Sequence, residues 1–218
     1  MLRTTGQSFA VFLFTVIFLC AAQQWPVTAQ STSAKPGATA PRKNLASQKQ
    51  RNAIALAMSA GPPTISRRAS IIGCVGGSCA DMNELAKGPT KELRTGTNGW
   101  VCYPLKDGPM CLDKQWRKWM EGWMSKSDPH IEGTGIGYML RGDTGSSNTD
   151  PFAMVATKDN QWVVAPPHIM VLYQDPKMLD AFPTDPKTGG PWVMWKGTPY
   201  AHVMVPVSPM KKSNGSVR

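Results

Sequence analysis

Leu112-Asp113-Lys114-Gln115-Trp116-Arg117-Lys118-Trp119-Met120-Glu121-Gly122-Trp123-Met124 is the stretch whose periodicity decides the fold. Trp116, Trp119, Met120, Trp123 and Met124 recur at i, i+3, i+4, i+7 and i+8, one apolar face of a helix. Lys114, Arg117, Lys118 and Glu121 fall elsewhere on its circumference. Asp113 is placed to cap the first turn. Asp128-Pro129 ends the helix, because the residue before a proline avoids the α region. Large apolar side chains at this spacing are expected to pack a core. Their rival role, an aromatic platform for a sugar, needs rings exposed on a flat face.

Downstream, residues 135–140, 162–165, 168–173, 191–195 and 202–207 are short runs rich in Val, Ile, Met and aromatics. Gly, Pro and Asp clusters separate them, which is the pattern of strands. A short helix is expected over 176–181. With strands outnumbering helices, the expectation is an α+β domain whose mostly antiparallel sheet packs on the Trp-rich helix.

Upstream the composition changes. Arg3 precedes an uncharged apolar run over 9–22, and the following polar stretch ends in Val27-Thr28-Ala29. This is the pattern of a cleavable export signal over 1–29, with small residues at −3 and −1. The apolar run is short of the roughly 20 residues that a membrane span needs, so no transmembrane segment is expected after cleavage. The destination is periplasmic or secreted. Residues 30–70 are rich in Ser, Ala, Thr, Pro, Lys and Arg and read as a disordered basic linker. Within them, 49–60 is Ala-rich and able to form a transient helix ended by Gly61-Pro62-Pro63. The domain is expected over 71–208, with a disordered tail over 209–218.

The net charge of +10 suggests a polyanion binder until the charges are located. Residues 80–207 hold 13 Lys and Arg against all 14 acidic residues, a net of −1. The surplus sits in the flanks, which excludes a basic nucleic-acid-reading face on the domain and leaves weak contacts of the tails with anionic surfaces. Beyond the signal four cysteines remain: Cys74, Cys79, Cys102 and Cys111. An even count in an exported chain favours disulfides. Local pairing, Cys74–Cys79 and Cys102–Cys111, is the simplest of three connectivities, and Pro104, Gly108 and Pro109 can turn the second loop. The spacing lacks the CxxC signature of zinc.

Two patterns carry candidate chemistry. His168-Ile169-Met170 and His202-Val203-Met204 are both His-x-Met on expected strands, where period two puts each imidazole and its thioether on one face. Soft sulfur with imidazole suits Cu(I), although methionine is also common core filler. The polar stretch 142–151 supplies Asn148, Thr149 and Asp150 as ligand-binding candidates, joined by Tyr200. Ser147 or Thr149 with His168 or His202 as base would be a hydrolase arrangement, but no Gly-x-Ser-x-Gly elbow accompanies it. The alternative role of 142–151 is a turn network that holds the loop. No particular cofactor is indicated by any motif.

Blocks of sequence also carry a resemblance: Leu93-Arg94-Thr95-Gly96-Thr97-Asn98-Gly99-Trp100-Val101-Cys102, Pro109-Met110-Cys111-Leu112-Asp113, Ser147-Asn148-Thr149-Asp150-Pro151-Phe152-Ala153, Pro167-His168-Ile169-Met170 and 191–207. Together they resemble a family of uncharacterised exported bacterial proteins over roughly residues 80–207. The resemblance implies the domain limits and no activity. The function expected is a non-catalytic ligand- or envelope-binding domain; a His/Met copper site or a hydrolase using His168 and His202 is the alternative.

Overall fold

A computed structural model describes residues 41–209. The expected export signal, residues 30–40 of the expected linker and residues 210–218 of the tail lie outside the described residues. The fold is α+β, with a mostly antiparallel sheet. Ten strands are described: β1 (Ser70–Cys74), β2 (Thr90–Arg94), β3 (Val101–Tyr103), β4 (Met110–Leu112), β5 (Gly135–Met139), β6 (Ser146–Ser147), β7 (Trp162–Val163), β8 (His168–Leu172), β9 (Trp192–Met194) and β10 (His202–Pro206). Eight form one sheet in the order β2-β1-β3-β4-β5-β8-β10-β9. Its β1–β3 pair is parallel and the other pairs are antiparallel. Strands β6 and β7 form a separate ladder.

The helices are α1 (Pro41–Met58), α2 (Pro63–Ser66), α3 (Met82–Lys87) and α4 (Lys114–Ser125). The Trp-rich helix α4 begins where its periodicity places it. The Asp113 carboxylate accepts from Trp116 N at 2.8 Å and from Ile136 N at 2.6 Å, so one side chain caps the helix and fastens β5 to it. The helix ends at Lys126 in the left-handed conformation, φ 55°. Trp116, Trp119 and Met120 are buried against the sheet, so the stripe is core rather than an exposed sugar platform.

Each strand alternates between two faces. The face toward α4 carries Met110, Leu112, Met139, Met170, Trp192 and Met204. On the opposite face, Cys102, Cys111 and Ile71 pack against Ala53 and Ala57 of α1. Further along that face, Val193 and Val203 pack on Leu179, from the 3₁₀ turn Pro176–Ala181.

The linker expected over 30–70 is corrected from Pro41 onward. Ala53, Ala57 and Ala60 are completely buried and Ser66 nearly so. Small residues at this spacing let the helix lie close to the sheet, with little apolar area per residue to mark it in the composition. The domain therefore starts at α1, not at residue 71. The strand expected over 162–165 is only Trp162–Val163, and it pairs with Ser146–Ser147 from the stretch read as a loop.

Both cysteine pairs are disulfides, Cys74–Cys79 and Cys102–Cys111. Cys102 and Cys111 stand directly opposite on β3 and β4. No described helix is long and apolar enough to cross a membrane.

Candidate functional site

Between α4 and the inner face of the sheet lies a cavity of about 480 Å³. Its floor is a grid set by strand register. One rung holds Met139 of β5 opposite His168 of β8. The next holds Gly137, Met170 and Met204 side by side on β5, β8 and β10. On the third, His202 of β10 stands opposite Met194 of β9. Gly137 makes room: a Cβ there would lie 2.9 Å from the Met170 methyl and 3.3 Å from the Trp116 indole nitrogen. Trp116, Trp119 and Trp195 form the far wall, and Asp150, Pro151, Ala153 and Met154 also line the cavity.

The two imidazoles are built alike. His168 Nδ1 is 2.6 Å from Pro166 O and His202 Nδ1 is 3.0 Å from Tyr200 O. A carbonyl only accepts, so each Nδ1 carries the hydrogen and each Nε2 keeps its lone pair. Burial pushes both side chains down to about 4; for His202 the neighbouring His168 adds to the effect. Both are neutral at neutral pH. His202 is ringed by Trp116, Trp119 and Trp195 at 5.1–5.6 Å, all edge-on. His168 lies opposite Pro206, four residues along β10 from His202. Roughly 13 Å of strand therefore separates the two backbones, and the imidazoles serve different rungs.

Asp81, Asp107, Asp143 and Asp150 line the same cavity, and burial raises two of their carboxyls. Asp143 is pushed up to about 6 by burial, opposed by its bonds from Ala165 N and Gly145 N and helped by Asp107. Asp107 is also raised to about 6, by burial first and the Asp81 charge second. Asp143 holds its proton more tightly folded than unfolded, so ionisation removes stability as pH rises from about 4 to about 6. The histidines run the other way, with stability lost as pH falls from 6.5 to about 4. Asp143→Asn keeps the accepting oxygen and removes the charge. Thermal melts are expected to show equal stability near pH 4 and a gain for the variant near pH 8. That gain is about 3 kcal/mol from the size of the shift, or several degrees. Equal melting at both pH values would contradict this.

Trp195 holds a left-handed backbone, φ 57°, uncommon for a bulky residue. Its amide donates to Asn148 O and its indole to Ser147 O, and its ring lies parallel to Trp119 at 5.8 Å.

The sequence candidates divide. His168, His202, Met170, Met204 and Asp150 line the cavity, whereas Asn148, Thr149 and Tyr200 do not. Asn148 is a structural hub: its amide nitrogen donates to Gln161 Oε1 and Thr184 O, and its oxygen accepts from Trp192 Nε1. Thr149 is exposed. Tyr200 donates its hydroxyl to Ser127 O and stands edge-on to Trp119. Ser147 Oγ donates to Asn160 O and accepts from Thr149 N and Asp150 N, a turn network. With both Nδ1 atoms on backbone carbonyls, no carboxylate orients either imidazole as a hydrolase base would need. Trp119, Asp107 and Met139 belong to the cavity but were not among the sequence candidates, while Asp143 lies in the candidate stretch 142–151. Asp107 sits in a Gly-Pro turn, and only cross-strand register reveals Met139.

Among the described residues no group of three or more His, Cys, Asp or Glu side chains could hold a metal ion. No protein-family model, curated protein or solved structure matches this chain.

Proposed function

We propose that this chain is an exported, non-catalytic binding domain for a small, largely apolar ligand held between α4 and the sheet. One observation carries the reading. Four buried side-chain polar atoms lack a partner among the described residues, and three of them belong to cavity residues: Asp107 Oδ1, Trp119 Nε1 and His168 Nε2. Leaving such an atom unpaired costs about 1–3 kcal/mol. All three residues line one apolar cavity, which fits a site completed by its ligand. The ligand would present an acceptor to Trp119 Nε1 and a donor to His168 Nε2. The strained Trp195 backbone, which aims a second indole at Trp119, supports the same reading. Export is supported by the signal pattern at residues 1–29, by the resemblance over 80–207 and by two disulfides that suit an oxidising compartment.

Titration with anilinonaphthalene sulfonate tests the reading. One molecule is expected to bind per chain, with quenching of the cavity tryptophans. Trp119→Phe keeps an aromatic ring and deletes the donor, so binding is expected to weaken roughly 2- to 10-fold. Absence of saturable binding overturns the proposal, and equal binding by the variant removes the Trp119 indole hydrogen from the site.

A further inference from the structure

The cavity floor holds a set of donors that an organic ligand does not require. His168 and Met139 face each other across adjacent strands, with side-chain roots about 5 Å apart. Met170 is two residues on from His168, on the same face, and its methyl lies over Gly137 toward β5. All three side chains line the cavity. His168 is completely buried, and its Nε2 has no partner. Its Nδ1 is held by Pro166 O, the second contact that orients a metal-binding imidazole and leaves Nε2 free to ligate.

We propose that His168 Nε2, Met139 Sδ and Met170 Sδ form a binding site for a soft monovalent cation, Cu(I), at the His168 end of the cavity. The proposal rests on the same cavity being open to ligands. The donor chemistry selects the ion. Two thioethers and one neutral imidazole add no negative charge, so they poorly compensate a hard divalent cation. Thioether sulfur binds Cu(I) well. The carboxyls of Asp81, Asp107, Asp143 and Asp150 also line the cavity, but among the described residues no three of them group to hold an ion, and calcium or magnesium takes six or more oxygens. The His202 rung is left out. His202 stands on a different rung from His168, and three indoles surround its ring.

The test uses the full chain carrying Cys20→Ser, so that no free thiol competes, with both disulfides oxidised. It is titrated anaerobically with Cu(I), supplied as its acetonitrile complex, against bicinchoninate. One Cu(I) per chain is expected, with nitrogen and sulfur neighbours in its X-ray absorption spectrum. His168→Gln and Met170→Leu are each expected to weaken binding by about 100-fold or more, beyond the loss typical of a second-contact change. Met194→Leu, on the His202 rung, leaves it unchanged. Should His168→Gln fail to fold, the nearly isosteric Met139→Leu/Met170→Leu pair decides the matter, because such exchanges are well tolerated in cores. No bound Cu(I), or binding indifferent to the methionine pair, overturns the site. The same proteins titrated with anilinonaphthalene sulfonate separate the two proposals. Dye binding without Cu(I) binding overturns the metal site alone, and loss of both overturns the cavity as a binding site.

Discussion

A chain that begins at Ala80 is expected to show no cooperative unfolding, whereas one that begins at Pro41 melts in a single transition. Starting at Ala80 deletes α1, α2 and β1. Strand β1 lies between β2 and β3, so β2 loses its sheet partner and β3 is left with a bare edge. Ile71, Ala53, Ala57, Ala60 and Ala69, all completely buried, disappear from the face behind the Cys102–Cys111 disulfide. Burying Ile71 alone is worth about 2 kcal/mol. The Cys74–Cys79 bridge is lost as well, at about 2–3 kcal/mol for so short a loop. Gly61, where a Cβ would lie only 3.1 Å from the Cys111 side chain, goes with them. Against a typical margin of 5–15 kcal/mol these losses are decisive. Urea denaturation followed by circular dichroism is the measurement. A cooperative transition in the Ala80 chain would show that α1 and β1 are accessory.

The second large effect is expected at Trp192. Its side chain is completely buried on the α4 side of the sheet, and β10 pairs Met204 against it. Its indole nitrogen donates to Asn148 Oδ1 at 3.1 Å. That bond joins the large sheet to the β6–β7 ladder, because Asn148 also bonds Gln161 and Thr184. Trp192→Ala removes the ring and is expected to destabilise by about 3–5 kcal/mol through the cavity it leaves. The unpaired Asn148 oxygen adds about 1–3 kcal/mol. Trp192→Phe retains most of the ring and isolates the second contribution. Urea midpoints at an unchanged m-value give both numbers. A Trp192→Phe variant within half a kcal/mol of the parent, about the scatter of neutral substitutions, would show that the bond to Asn148 does not hold the ladder in place. Since Ser146, Ser147 and Trp162 wall the cavity, Trp192→Phe is also expected to loosen ligand binding.

Much of the fold was legible where side chains repeat over enough residues to show a period. The helix Lys114–Ser125, its Asp113 cap and the strands β5, β8, β9 and β10 could be read from the sequence. Strands β1 to β4 were not read from the sequence. Helix α1 was hidden as well. Its contacts with the sheet are made through alanines, whose value lies in closeness rather than in area.

The site divides along the same line. Period two along β8 and β10 is a local property, so the sharing of a face by each His and its Met followed from the residues alone. Asn148 looked like a ligand group because polar residues in a loop do, and its role as a hub depends on partners 13 to 44 residues away. By itself the sequence determined the α+β class, the capped Trp helix, four strands of the sheet and the near-neutral charge of residues 80–207. Only the tertiary structure decided that α1 belongs to the fold, that Met139 stands beside His168, and that three residues with unpartnered buried atoms line one cavity. Register and sheet order are set by contacts between distant segments, and no local pattern encodes which strand becomes whose neighbour.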